Sequence, residues 1–370
     1  MIGFPVHLCV NKLSALALLR HVRITGEYAS AQVCGLPEPD PHPQRRWSAR
    51  IIPHQLLGLS DPPSSSRPVY VAVPSKGTRP LASFFKNTLY LSGLPEGSFL
   101  RLGENLTIPC PELLFVELAT IMKPAALGLL GYELCGSFCR DPLNPRSGKV
   151  THGLSPVTDV ASIRSFIEET HRLTGTSAAR RALLSVEDNA WSAMEATMAL
   201  LLKKPVAEHG YGIRRIRLNE RQDNPWELVR RGCAGARVPD IVLDDCPVGF
   251  NYDGRDHLDL EAIAGAAENK DELGRALGSL RRKYVDDRRR DRELAAQGRL
   301  VMSVVSEDLF DHGGLDIVIL EALMASERLG GPRAKDVVPE EVWTPEETRA
   351  RQQLIWSLLP WEGGGSLGPC

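Results

Sequence analysis

The sequence predicts a mixed α/β (α+β) protein in two parts, a smaller N-terminal domain over residues 1–155 and a mixed sheet flanked by helices over residues 156–335. Three observations carry this. The chain has 370 residues, 43% of them hydrophobic, enough for two ordinary cores. Its first third alternates proline-rich stretches with short extended runs. From residue 188 to 329 the order is helix, three extended runs, long charged helix, strand, helix.

In the first part, "GLPEPDPHPQ" (35–44) and "DPPSSSRP" (61–68) read as surface loops. "VYVAV" (69–73) has the composition of a strand, and "SFLRLGENLTIPC" (98–110) reads as a hairpin turning at Gly103-Glu104-Asn105. "PELLFVELATIM" (111–122) opens with proline where a helix tolerates it and carries Glu112 in its first turn. In the second part, "DVASIRSFIEETHRL" (159–173) and "DNAWSAMEATMALLLKK" (188–204) read as helices, the latter capped by Asp188 or Asn189. "IRRIRL" (213–218), "VPDIVL" (238–243) and "PVGFNY" (247–252) read as adjacent strands joined by tight turns. A charged helix over roughly 267–297, a strand at 299–305 and an amphipathic helix at 314–329 complete the unit. Residues 336–370 read as a helix to about Leu358, entered through Thr344-Pro345-Glu346-Glu347, then a disordered tail.

A net charge of −2 and a pI near 6.5 give no overall pull toward polyanions, so any such contact needs a local patch. Eight cysteines are scattered, and Cys135-Gly-Ser-Phe-Cys139 has no second pair to complete a zinc knuckle. Reduced, buried thiols and a cytoplasmic location follow as expectations. The N-terminus lacks a signal-peptide pattern, and the apolar stretch 113–134 is broken by Glu117, Lys123 and Pro124, so no membrane partner is expected. No motif points to a small-molecule substrate.

The chemistry-bearing residues lie around "GFNYDG". Cutting a phosphodiester requires hard oxygen ligands holding a divalent cation, so carboxylates have to converge at one end of a sheet. Asp240 lies in one predicted strand, and Asn251 and Asp253 share a face of the next because side chains alternate with period two. Glu195 sits mid-helix upstream, within reach of the same cluster. His257, four residues past Asp253, is placed to contact phosphate or water. Each has a plainer reading. Ser192-Ala193-Met194-Glu195 also fits a capping box, Asp240 is a strand-end aspartate, Asp253-Gly254 is a turn pair, and His257 suits a solvated loop. Downstream, Arg281, Arg282, Lys283, Arg288, Arg289, Arg290 and Arg292 outnumber Asp286, Asp287 and Asp291. That face suits a nucleic-acid backbone or, equally, a solvated helix surface.

The runs "PDIVLDDCPVGFNYDGRDH" and "DDRRRDRELAAQGRLVMSVVSEDL" resemble the very-short-patch-repair-like endonuclease domain of the PD-(D/E)xK, restriction-endonuclease-like superfamily. The residues that carry the resemblance are Glu195, Asp240, Asp253, Gly254, His257, Asp287, Arg290, Leu294 and Gly298, within roughly 188–310. Upstream, "SALALL", "VYVAVP" and "NLTIPCPELLFVELA" look like the region that precedes this domain in abortive-infection type IV antitoxin-like proteins. The resemblance implies a bacterial DNA-acting protein with a cognate toxin as partner. It assigns Asp240, Asp253 and Glu195 to Mg²⁺ or Mn²⁺, with Asn251 as auxiliary ligand and His257 as water or phosphate contact. This chain departs at Asn251, where the family has glutamate, and the amide removes one negative charge from the cation site. Three readings stand: a metal-dependent DNA endonuclease with a weakened site, a catalytically inactive DNA-binding regulator, and an interaction module without nucleic acid.

Overall fold

Apolar residues recur at helical spacing in "KLSALALLRHVRI", and this stretch, Lys12–Ile24, is the central helix (α1) of the first of two units. In the computed structural model residues 7–35, 47–90, 94–103, 105–254 and 270–359 are described. The first unit is Met1–Ala193 with Leu359–Cys370, the second Met194–Leu358.

The first unit's strands are β1 (Leu8–Cys9), β2 (Gln32–Cys34), β3 (Val69–Val73), β4 (Phe85–Leu89), β5 (Phe99–Arg101), β6 (Leu106–Pro109), β7 (Phe138–Arg140) and β8 (Val150–His152). Its other helices are α2 (Pro111–Leu118), α3 (Pro124–Leu134), α4 (Val160–Glu169) and α5 (Thr176–Leu183). One sheet runs β1-β6-β5-β2, with β3 and β4 a separate parallel pair and β7 and β8 a hairpin. Buried Glu133 lies between Arg20 at 2.7 Å and Arg140 at 2.8 Å. Burial alone raises a carboxylate, but the two guanidiniums hold Glu133 well below the usual range.

Two expectations need correction here. Asp188 does not cap the helix that follows it; its carboxylate accepts the Val160 amide at 2.8 Å, at the start of α4, whose N-cap is Asp159. The following helix begins only at Ala193, because Asn189 has φ +71° and breaks the helical path. Helices α4 and α5 pack on α2 and α3, so the first unit runs to Ala193 rather than to residue 155.

The second unit contains α6 (Ala193–Lys203), β9 (Ile216–Leu218), β10 (Gln222–Asp223), α7 (Trp226–Val229), β11 (Ala236–Arg237), β12 (Ile241–Leu243) and β13 (Val248–Asp253). Then come α8 (Lys270–Ala296), β14 (Leu300–Val305), α9 (Ser306–Phe310), α10 (Gly314–Arg328), α11 (Ala334–Val337) and α12 (Pro345–Leu358). Its main sheet is ordered β14-β13-β12-β9. The β9, β12 and β13 strands are antiparallel; α8 carries the chain across so that β14 runs parallel to β13, from Val248↔Leu300 to Asp253↔Val305. Gly249 allows β12 to come close, since a Cβ there would sit 2.5 Å from the Ile241 carbonyl oxygen. Gly298, at φ +77°, ends α8 and turns the chain into β14.

The connection from β9 to β12 is not a tight turn. It is an excursion through β10, α7 and β11, with β10 and β11 forming their own two-stranded ribbon. The C-terminal helix α12 also belongs to this unit rather than standing apart from residue 336. Its Arg351, 1% exposed, donates to Asp316 at 2.7 Å and to the Val342 carbonyl at 2.7 Å, and Tyr211 donates to the same aspartate at 2.6 Å. The tail expected to be disordered lies outside the described residues. Among the described residues, no helix is long and apolar enough to cross a membrane, and Cys135 and Cys139 are buried free thiols.

Candidate functional site

Antiparallel pairing of β12 with β13 sets Ile241 against Phe250, which puts Asp240, one residue before β12, opposite Asn251. Each side chain bonds the backbone of the facing strand. The Asp240 amide donates to Asn251 Oδ1 at 3.0 Å, and the Tyr252 amide donates to Asp240 Oδ2 at 2.7 Å. Asn251 is 1% exposed, and its Nδ2 is buried with no hydrogen-bond partner among the described residues. Burial pushes the Asp240 carboxyl up to about 6; the Tyr252 amide and the Arg290 charge pull it down, and the Asp253 charge pushes it further up.

Asp253 closes β13, alongside Val305 of β14. Its charge also acts on Asp291 of α8, whose carboxyl is raised mainly by burial and lowered by Arg288 and Arg290. Arg290 lies 3.5 Å from Asp287 and 3.9 Å from Asp291. The strand end and helix α8 thus share one electrostatic neighbourhood, of Asp240, Asp253, Asp291 and Arg290.

Glu195 is in the first turn of α6 rather than mid-helix, and is 2% exposed. It accepts from Asn219 Nδ2 at 2.7 Å, while the Asn219 amide donates to the Asp240 carbonyl at 3.0 Å. Glu195 therefore reaches the Asp240 backbone through Asn219. It is not among the charges that shift the Asp240 carboxyl, which are Arg290 and Asp253. His257 lies outside the described residues.

The expected metal set is Asp240, Asp253 and Glu195. Among the described residues, no three His, Cys, Asp or Glu side chains gather as they would around a metal ion. Glu195 is engaged by Asn219, and the Asn251 amide oxygen is engaged by the Asp240 amide. Glu195 does not join Asp240 and Asp253 in one such group.

The basic residues divide by helix face. At 100° per residue, Arg281, Arg288 and Arg292 line one outward stripe of α8, with Arg282 and Arg289 beside it. All five are exposed. Among the described residues Arg281, Arg282, Arg289 and Arg292 have no ion-pair partner, while Arg288 meets Asp291 at 3.2 Å. Lys283 and Arg290 fall on the other side, Lys283 exposed and Arg290 turned toward the aspartates. The inward face carries Glu293 and Leu294, 6% and 0% exposed.

No protein-family model, curated protein or solved structure matches the chain.

Sequence reasoning missed the groups that anchor this arrangement. Arg237 of β11 donates to Glu293 at 2.8 Å and to Asp286 at 3.0 Å; Asn224 adds a 2.6 Å hydrogen bond to Glu293. The β10–α7–β11 excursion is thereby fastened to the flank of α8 next to Arg282 and Arg289. It presents Trp226, 68% exposed, with exposed Arg230 and Arg231. The "NPWELVRR" composition, a tryptophan and two arginines after a turn-forming Asn-Pro, is the signal that would have found it.

Proposed function

We propose that residues 194–358 form a restriction-endonuclease-like core that binds DNA along α8 and does not cleave it. The fold half of this reading is supported by the order helix, antiparallel three-strand meander, crossover helix, parallel fourth strand. The binding half rests on one observation, the outward arginine stripe of α8. From Arg281 to Arg292 it runs about 16 Å at 1.5 Å per residue, long enough to meet several backbone phosphates. Exposed Trp226, on the excursion that Arg237 and Asn224 fasten to α8, offers an aromatic face to bases. Loss of cleavage is the reading that the Asn251 position supports: where the resemblance expects an acid, this chain has an amide whose oxygen accepts the Asp240 amide.

A second reading keeps a reduced, metal-dependent cleavage. It is favoured by the Asp240 carboxyl, raised to about 6 with Asp253 in its field, because perturbed carboxylates concentrate at reactive centres.

The test measures binding of a short DNA duplex by fluorescence anisotropy over a salt series, in parallel with incubation of plasmid with Mg²⁺ or Mn²⁺. The expected outcome is salt-sensitive binding and intact plasmid. Replacing Arg281, Arg289 and Arg292 by Gln weakens binding and lowers the salt slope by up to about 3, roughly one per phosphate contact. Absence of binding sinks the proposal. Cleavage that disappears in both Asp240→Ala and Asp253→Ala establishes the second reading instead, and a rise in cleavage in Asn251→Glu would locate the weakened ligand.

A further inference from the structure

Helix α10 has two apolar faces, and one of them is exposed. Leu315, Val318, Ile319, Ala322 and Leu323 are buried within the unit. On the opposite side Ile317 is 60%, Leu320 36% and Met324 46% exposed. A helix apolar on both sides ordinarily lies between two layers, and an exposed apolar stripe rimmed by charge marks a contact surface. At its C-terminal half Met324, with Glu321 and Arg328, borders a cavity of about 480 Å³ whose other wall is Ala295, Gly298, Arg299 and Leu300, where α8 turns into β14.

Charge order indicates the occupant. Glu321 and Arg328 stand on this stripe two turns apart, both exposed, and neither has an ion-pair partner among the described residues. A partner surface of a single sign would leave one of them opposed. A second copy of the same helix, laid antiparallel about a two-fold axis beside Met324, opposes neither. It places Glu321 against Arg328 of the second copy, Arg328 against its Glu321, and the two Met324 side chains beside the axis. A two-fold interface requires this self-complementarity. We propose that the α10 face, with the adjoining cavity, is the docking site for a second copy of this chain. The proposal does not depend on the function assigned to α8.

Sedimentation equilibrium on the full chain tests it. The wild type is expected to be a dimer. Glu321→Arg and Arg328→Glu, each alone, set like charges opposite one another at both pairs and raise the dissociation constant at least about tenfold. Mixing the two variants sets the guanidinium introduced by Glu321→Arg against the carboxylate introduced by Arg328→Glu. The unchanged Arg328 of the first variant then faces the unchanged Glu321 of the second, which restores a dimer that is heterotypic. Met324→Glu removes the axis contact without changing the charged pair and is also expected to be monomeric, with an unchanged circular dichroism spectrum. A monomeric wild type, a dimer indifferent to all three substitutions, or failure of the mixed variants to associate overturns the proposal.

Discussion

Asp240 stands just ahead of β12 with its carboxylate on the Tyr252 amide, and burial holds its pKa at about 6 against an ordinary 3.8. Its folded-state pKa is raised, so the folded protein binds more protons than the unfolded chain between these values. Stability therefore falls as pH rises from about 4 to 6 and is level above that. At about 1.36 kcal/mol per pH unit, the penalty at neutral pH is on the order of 3 kcal/mol. Asp240→Asn keeps an oxygen for the Tyr252 amide and removes the charge. Urea unfolding is expected to show the variant more stable than wild type at pH 7, with the gap closing by about pH 4; a gap that does not change with pH contradicts the assignment. The alignment of Asp240, Asn251 and Asp253 was legible in the sequence, because strand alternation and a short hairpin determine it. The engagement of Glu195 was not, because its partner Asn219 comes from another strand at φ +50°, a conformation no local pattern announces.

At the scale of elements, α8 is both a surface and a strut. Its arginine-rich composition led to a solvated or DNA-facing helix, and the outward stripe agrees with that pattern. The same charged run also hides Glu293, 6% exposed and held below its usual carboxylate range chiefly by the Arg237 hydrogen bond. Periodicity could not separate this glutamate from its solvated neighbours, since the partner lies in an excursion with no strand-like alternation. Arg237→Met removes the guanidinium from Glu293 and leaves it the neutral partners Asn224 and Cys233. The expected loss is about 2 kcal/mol, below the ~3–5 kcal/mol of a deeply buried pair because Asp286 stays solvated. Limited trypsin digestion checks the location of the effect: faster cutting at Arg230 and Arg231 is expected in the variant, and an unchanged digestion pattern shows that the excursion is held by other contacts.

For the molecule as a whole, the main sheet of the second unit and the long helices around it were readable because each is a continuous apolar or amphipathic run, whereas the short β10–α7–β11 excursion has no such run and was not. The first unit was readable only in pieces. Its β1 is two residues long and pairs with β6 from a remote part of the chain, a contact that no window of sequence contains. The unit boundary was displaced for a similar reason, since the first amide of α4 is taken up by Asp188 from beyond α5. The parallel pairing of β13 with β14 has a consequence in time. β12 and β13 can close as a hairpin, whereas β14 has to await the whole of α8 before it finds its place, and such distant contacts form slowly. Pulse-labelled hydrogen exchange during refolding is expected to protect the amides of β12 and β13 before those of β14; simultaneous protection argues against this order. In that interval the outer edge of β13, with Phe250 at its centre, has no strand beside it. Refolding yield should therefore drop as protein concentration rises, and a newly made chain is most exposed to self-association after its acids are in place but before its sheet is complete.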